Sequence, residues 1–567
     1  ETITVSGAFN ATALTDTSEV SFIPGAASTA NTLISASPSS VTADGISIST
    51  ITAQTKDSQD NNLTTGGNTI VLSATGDSLI SSVTDVGNGT YTATVTNTNV
   101  EVVTISGTLN GSSITDTDII TFTPGAADAS QSTISIAPIS TTADGLTTAL
   151  ITVQVKDSQG NNLSTGGDAI VLSEDGSAVI GTISDIGDGT YTASLTNAVA
   201  EVITISGTLG GIAISDSASI TFTPGVATAT QTTISVSTSS VTADGVSTST
   251  ITVQTIDALG NNLQVGGNTI ALSNNGSAFI TGVTDNNNGT YTATITNTVA
   301  EITSISGTLN AASITDTATV TFTAGSVDAT QTTINTSPSS VLADGATVST
   351  ITVQTKDAQG NNIITGGDTV LLTENGSATI SSVNDIGDGT YTATVTNLVA
   401  ESIIISGTLN GTSISDTGSI TFTPGIATTA QTTLATSPSS VTADGVSTST
   451  ITVQTKDVNG NNLITGGAAI ILSENGNAII GAVTDNTDGS YTASITNTVA
   501  ENITITATLN GSGIISTAAV NFLAGSSASV NETLISVSPT SLTADGTSSA
   551  IITIQAKDTF GNNITSG

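Results

Sequence analysis

The sequence predicts an all-β molecule built as a string of small antiparallel sandwiches, and three observations carry that prediction. A pentapeptide of the type Val-Thr-Ala-Asp-Gly begins at Val41, Val241 and Val441, with variants at Thr141, Val341 and Leu542, so one module recurs at a step of about 100 residues. Within each module apolar and polar residues alternate with a period of two, the spacing of half-buried strands. Asn-Gly and Asp-Gly pairs, which form tight turns, separate those runs. A unit of this size is too long for a solenoid rung and matches a domain with its own core.

Residues 26 to 125 serve as the type. Thr32 to Ser37 is a short strand that stops at Pro38, which has no N–H for a ladder. Ala43, Asp44 and Gly45 make a turn. From Ser47 to Thr55 the alternation points Ile51 and Ala53 inward and Thr50, Thr52 and Gln54 outward. Asp57 to Gly67 is a polar loop carrying Asn61 and Asn62, followed by short strands at Thr69 to Ser73 and Leu79 to Thr84. Asn88-Gly89 is expected to supply the positive φ angles of a hairpin turn, after which Tyr91, Ala93 and Val95 alternate with threonines. Val102 to Leu109 is the next strand, Asn110-Gly111 turns the chain, and Ile114 to Thr123 closes the module. Seven short strands joined by turn residues describe an antiparallel sandwich. No stretch has apolar residues at helical spacing between caps. The core is expected from Ile, Val, Leu and Ala, with Tyr91, Phe122 and their equivalents, Phe22 among them, as the aromatic mass.

Laid against the repeat, residues 26–125, 126–225, 226–325, 326–425 and 426–525 are complete modules. Residues 1–25 read as the C-terminal fragment of one module and 526–567 as the N-terminal fragment of another, so the sequence is expected to be a window on a longer protein. No apolar run approaches the ~20 residues of a membrane span, so no direct membrane insertion is expected in this segment. The junction Phe122-Thr-Pro-Gly-Ala-Ala-Asp-Ala leaves few free residues and contains proline, which favours modules set end to end with restricted bending. At a rise of ~3.3 Å per strand residue, a module is roughly 35 to 45 Å long and five make a rod of roughly 200 Å.

Composition excludes several function classes. Net charge is −39, yet only 9% of residues are charged, against ~25% in ordinary globular domains. That balance leaves no basic face for nucleic acid or an anionic membrane. Cysteine and histidine are absent, so disulfides, a Ser-His-Asp triad, a cysteine nucleophile and a zinc site of ordinary type are excluded. Paired carboxylates remain for acid and base work, but the acids recur along turns in every module, as solvated loops do, and no enzyme is expected. The absence of methionine and cysteine and the rarity of lysine suit an oxidising, protease-rich exterior.

The Ala-Asp-Gly turn, the Ile-Thr-Val-Gln-Thr-Lys-Asp strand from Ile351 to Asp357 and the Asp-Ile-Gly-Asp-Gly-Thr-Tyr-Thr-Ala hairpin from Asp385 to Ala393 resemble bacterial immunoglobulin-like domains of the invasin and intimin type. The Asp-Gly-Thr-Tyr turn is also similar to that of filamin repeats. The resemblance covers all five complete modules and both fragments. It implies tandem seven-strand sandwiches of immunoglobulin-like fold at the bacterial cell surface, where such domains serve as stalks of adhesins. The lectin-like tip of those adhesins has no counterpart in the sequence.

Two chemistries compete with turn formation for these polar residues. In a seven-strand sandwich the loops with Asp144 and Glu201 emerge toward the following module, and those with Asp257 and Asp285 emerge on that module's near end. Carboxylates of two modules brought together there would share a hard cation, so calcium is the candidate cofactor, although none is required. The competing reading is that Asp-Gly and Asp-x-Gly are turn chemistry, and no segment matches the twelve-residue calcium loop. Lys56 and its equivalents raise a lysine to asparagine crosslink, against which Ile256 replaces the lysine in the third module and strand parity turns the lysine outward.

The expectation is therefore an extracellular stalk that projects a distal binding module, with its receptor bound outside this segment. A self-assembling filament or surface layer is the first alternative, and a multivalent weak ligand binder the second.

Overall fold

The computed structural model describes residues 1–565. Among them every regular element is a β-strand or bridge, and there is no helix. Each complete module folds as two facing five-stranded sheets, repeated five times along the chain.

In residues 26–125 the first sheet pairs Leu33–Ser37 with Ser49–Gln54, and Ser49–Gln54 with Thr90–Thr96; the short Leu79–Ile80 and Thr84–Asp85 pair on the far side of Thr90–Thr96. The second centres on Val102–Leu109, flanked by Asp118–Thr123, Ile70–Ala74 and the hairpin piece Ser112–Ser113. Register sets Tyr91 opposite Ala53 and Ala93 opposite Ile51 in one sheet, and Val103 opposite Ile120 in the other. Because side chains alternate, those residues share the inner faces. The burial of Ser49–Gln54 and of Thr90–Thr96 follows the period of two expected of them.

The module has ten strands where the sequence suggests seven, because Thr84–Asp85 and Ser112–Ser113 pair as separate short pieces and one more strand is added, and three details matter. A further strand, Ser40–Thr42, lies parallel to Asp118–Thr123 in the second sheet and places Val41 against Phe122. The chain thus changes sheets at Pro38, between Leu33–Ser37 and Ser40–Thr42. Positive φ in the hairpin falls at Gly87 and Gly89, at 84° and 87°, rather than at Asn88. Asn88 instead uses its side-chain oxygen to accept the N–H of Thr90 at 3.1 Å. Phe22 is 58% exposed, because the Thr2–Val5 and Ser18–Ser21 hairpin has no second sheet facing it.

Each complete module holds one hydrophobic core, and none of the five crosses a module boundary. Tyr91, Phe122, Ile51, Ile105 and Ile120 are fully buried. The Tyr91 hydroxyl reaches the loop before Ile70–Ala74 and accepts the N–H of Asn68 at 2.8 Å, so the ring fills the core while its polar end is satisfied.

Candidate functional site: the joints between modules

The strand order puts the end of Ala149–Asp157 at the edge of its module that faces the preceding one. Asp157 is 1% exposed there. One carboxylate oxygen, Oδ2, accepts the N–H of the linker residue Gly125 at 2.9 Å. The other accepts the N–H of Gln159 at 3.0 Å and of Asn161 at 2.9 Å. The Asn161 side-chain amide also donates to both carboxylate oxygens, at 3.2 and 3.0 Å. One side chain therefore closes the loop onto itself and binds the linker to it.

Asn161 then crosses the boundary. Its Nδ2 donates to the carbonyl of Thr98 at 2.8 Å, and its Oδ1 accepts the N–H of Val100 at 3.2 Å, both in the preceding module. The same two bonds recur at four further joints. Asn261 meets Ala198 and Ala200, and Asn361 meets Thr298 and Ala300. Asn461 meets Leu398 and Ala400, and Asn562 meets Thr498 and Ala500. The linker bond recurs as well, from Gly225, Gly325, Gly425 and Gly525 to Asp257, Asp357, Asp457 and Asp558. At the fourth joint Asn459 adds a bond to the Ala343 carbonyl at 2.8 Å.

The receiving loop is equally fixed. Asn197 is buried; its Oδ1 accepts the Val199 N–H at 2.9 Å, and its amide donates to Glu201 Oε1 at 2.8 Å. Glu201 Oε1 also accepts the N–H of Ser177 at 2.7 Å. The Ala198 carbonyl and Ala200 N–H are thus presented to Asn261 by a braced loop. Beside this contact, Val202, Phe222, Pro224, Leu263 and Val265 line a cleft of about 540 Å³ between the second and third modules.

Electrostatics favour charged joint aspartates. Burial pushes the Asp157 carboxyl up, but the Asn161 amide and the N–H groups of Gly125, Asn161 and Gln159 outweigh it and hold it below its ordinary value. Asp257 is lowered in the same way. At Asp57 the Gly25 N–H and then the Asn61 amide bring it down to about 2.

The four calcium candidates are placed as follows. Asp257 is the linker-binding residue of the third module, and Glu201 braces the loop facing it. Asp144 caps its own turn, accepting the N–H groups of Leu146 and Thr147 and the Thr147 hydroxyl. Asp285 binds Gly267 N–H at 2.7 Å and Asn287 N–H at 2.8 Å within its module. All four are engaged by N–H or hydroxyl donors, and among the described residues no group of three or more acidic residues is arranged to hold a metal ion. The residue that spans the boundary is Asn261, in the polar loop after Asp257. Its signal was present: Asp and Asn stand four apart at Asp57, Asp157, Asp257, Asp357, Asp457 and Asp558, with glycine before the Asn in five of the six.

Fold and joints together define a tandem array of bacterial immunoglobulin-like domains, the class built into surface adhesins. The family model described as "Invasin, domain 3" matches residues 28–125, 128–225, 228–325, 328–425 and 428–525, and the chain belongs to that family. Among solved structures it is similar to FdeC, an Escherichia coli adhesin, at 23% identity over 53% of this chain and 99% of that one, with a TM-score of 0.36. Invasin, a bacterial integrin-binding protein, matches at 21% identity over 71% and 82%, with a TM-score of 0.35. InvD of Yersinia pseudotuberculosis matches at 24% identity over 52% and 97%, with a TM-score of 0.34. No helix among the described residues is long and apolar enough to cross a membrane.

Proposed function

We propose that the chain is a structural stalk of an extracellular bacterial surface adhesin, holding a binding module away from the cell envelope, with no catalytic role. The observation that carries this reading is the joint. One Asp–Asn device closes five successive boundaries with the same bonds, so module number is converted into reach rather than into a flexible tether. Separate cores support it, since each module packs an interior of its own. The function is geometric: the stalk sets the distance between envelope and receptor.

Small-angle scattering and electron microscopy of the chain, and of chains with modules removed, test the reading. A monomeric, elongated particle whose length falls by a constant amount per module supports it. A compact particle, or lateral polymers at micromolar concentration, would overturn it in favour of a self-assembling layer.

A further inference from the structure

The five modules are near copies, so departures in one of them stand out, and the largest at the core is Thr303. Val103, Ile203, Ile403 and Ile503 hold this position in the other modules, each at most 1% exposed. Thr303 is 0% exposed, and its hydroxyl has no hydrogen-bond partner. Its register partner is Val320, where Ile203 faces Ile220 in the second module. The pair therefore loses packing atoms on both sides and buries an unsatisfied polar group. The hydroxyls of Thr428 and Thr508 also lack partners, but both residues are only half-buried, and Thr508 repeats the threonine found at that position in every module.

A second departure lies in the same module. Thr238 replaces the proline at Pro38, Pro138, Pro338 and Pro438. Threonine leaves the unfolded chain more conformations to lose on folding than proline does. The backbone pairing of the strand before it is kept, since the Ser237 N–H donates to the Thr250 carbonyl at 2.9 Å, so the difference at this edge is the lost proline itself. The joints on either side of this module are complete, because Asn261 and Asn361 both make their crossing bonds. The weakness is thus inside the module and not at its ends.

We infer that residues 226–325 form the first module to open, a built-in yielding element in an otherwise uniform array. Its opening releases roughly 300 Å of chain, since about 100 residues extend by up to ~3.3–3.6 Å each. The inference concerns the order of stabilities and holds whether or not the chain is a stalk.

Native-state hydrogen exchange on the whole chain, read by module-specific peptides, tests it. Global exchange in residues 226–325 is expected to be roughly tenfold or more faster than in the other complete modules. Thr303→Val is expected to bring that rate close to its siblings', and Ile403→Thr to make residues 326–425 open earlier than the other modules that keep an aliphatic side chain at this position. In single-molecule extension of the wild type, one complete module should yield before the other four, and Thr303→Val should remove that early event. Uniform exchange across the five modules, or an early event untouched by Thr303→Val, would overturn the inference.

Discussion

The amide nitrogen of Asn161 lies 2.8 Å from the carbonyl oxygen of Thr98, a residue of the preceding module, so a side chain ties the two modules together in addition to the linker. Replacing Asn161, Asn261, Asn361 and Asn461 together by alanine removes two crossing bonds per joint, each worth about 0.5–1.5 kcal/mol. Bending between modules should increase, and module melting temperatures should fall as well, because each buried joint aspartate loses the amide that donates to its carboxylate. Scattering should show a broader distance distribution with a shorter mean length, and calorimetry a transition moved to lower temperature.

Acid should loosen the joints. A carboxyl whose folded value lies below its ordinary one stabilises the structure fully above the ordinary value, and that contribution is lost as pH falls toward the folded value. For Asp57 the window runs from 3.8 down to about 2. Asp157, Asp257, Asp357 and Asp457 shift in the same direction. Interdomain order measured by scattering should hold at pH 5 and fade below pH ~4. Asp→Asn at Asp157, Asp257, Asp357, Asp457 and Asp558 should remove the part of this pH dependence that comes from the joints.

Tyr391 separates packing from hydrogen bonding. Tyr391→Phe leaves the Asp368 N–H, which donates to the hydroxyl at 2.8 Å, without its partner and should cost about 1–3 kcal/mol. Tyr391→Ala should cost ~3–5 kcal/mol against a domain stability of ~5–15 kcal/mol. Because no core spans a boundary, exchange mass spectrometry should show loss of protection confined to residues 326–425.

Gly289 and Gly187 both have positive φ, at 82° and 88°, yet alanine should be punished unequally. A Cβ on Gly289 would stand 1.9 Å from the Leu263 carbonyl oxygen, whereas one on Gly187 meets nothing within 4 Å. Gly289→Ala should therefore cost more than the ~1–3 kcal/mol of backbone strain, and Gly187→Ala about that strain alone. Gly187→Asn should be milder still, since Asn287 occupies the equivalent place with φ 60°. Thermal melts of the three variants give the comparison.

Chelation should leave the joints unchanged, because Asp–Asn hydrogen bonds close them without a cation. Identical scattering curves with calcium and with a chelator are expected; a longer or straighter particle with calcium would restore the carboxylate-sharing idea.

Much of the fold was legible because strand burial writes itself into alternation. Ile51, Ala53, Tyr91, Ala93 and Val95 lie inward as their parity requires. Ser40–Thr42 escaped notice because three residues carry too little alternation, and its pairing partner is some 80 residues away in sequence. The turn at Gly87 was misplaced by one residue because Asn-Gly is the stronger dipeptide signal, whereas here Asn88 serves as a side-chain acceptor. The joint was half legible. Loop direction follows from strand count, but the carboxylates drew attention as charges, while the crossing bonds belong to the neutral amide of Asn161, whose role depends on a partner in another module.

Each joint combines an Asp-x-x-x-Asn loop from one module with a braced loop from the one before, and every complete module carries both halves. Any module can therefore follow any other without an unmatched seam. Unequal recombination between the repeats would lengthen or shorten the molecule by whole units in a single step, each product keeping the same joint at every boundary.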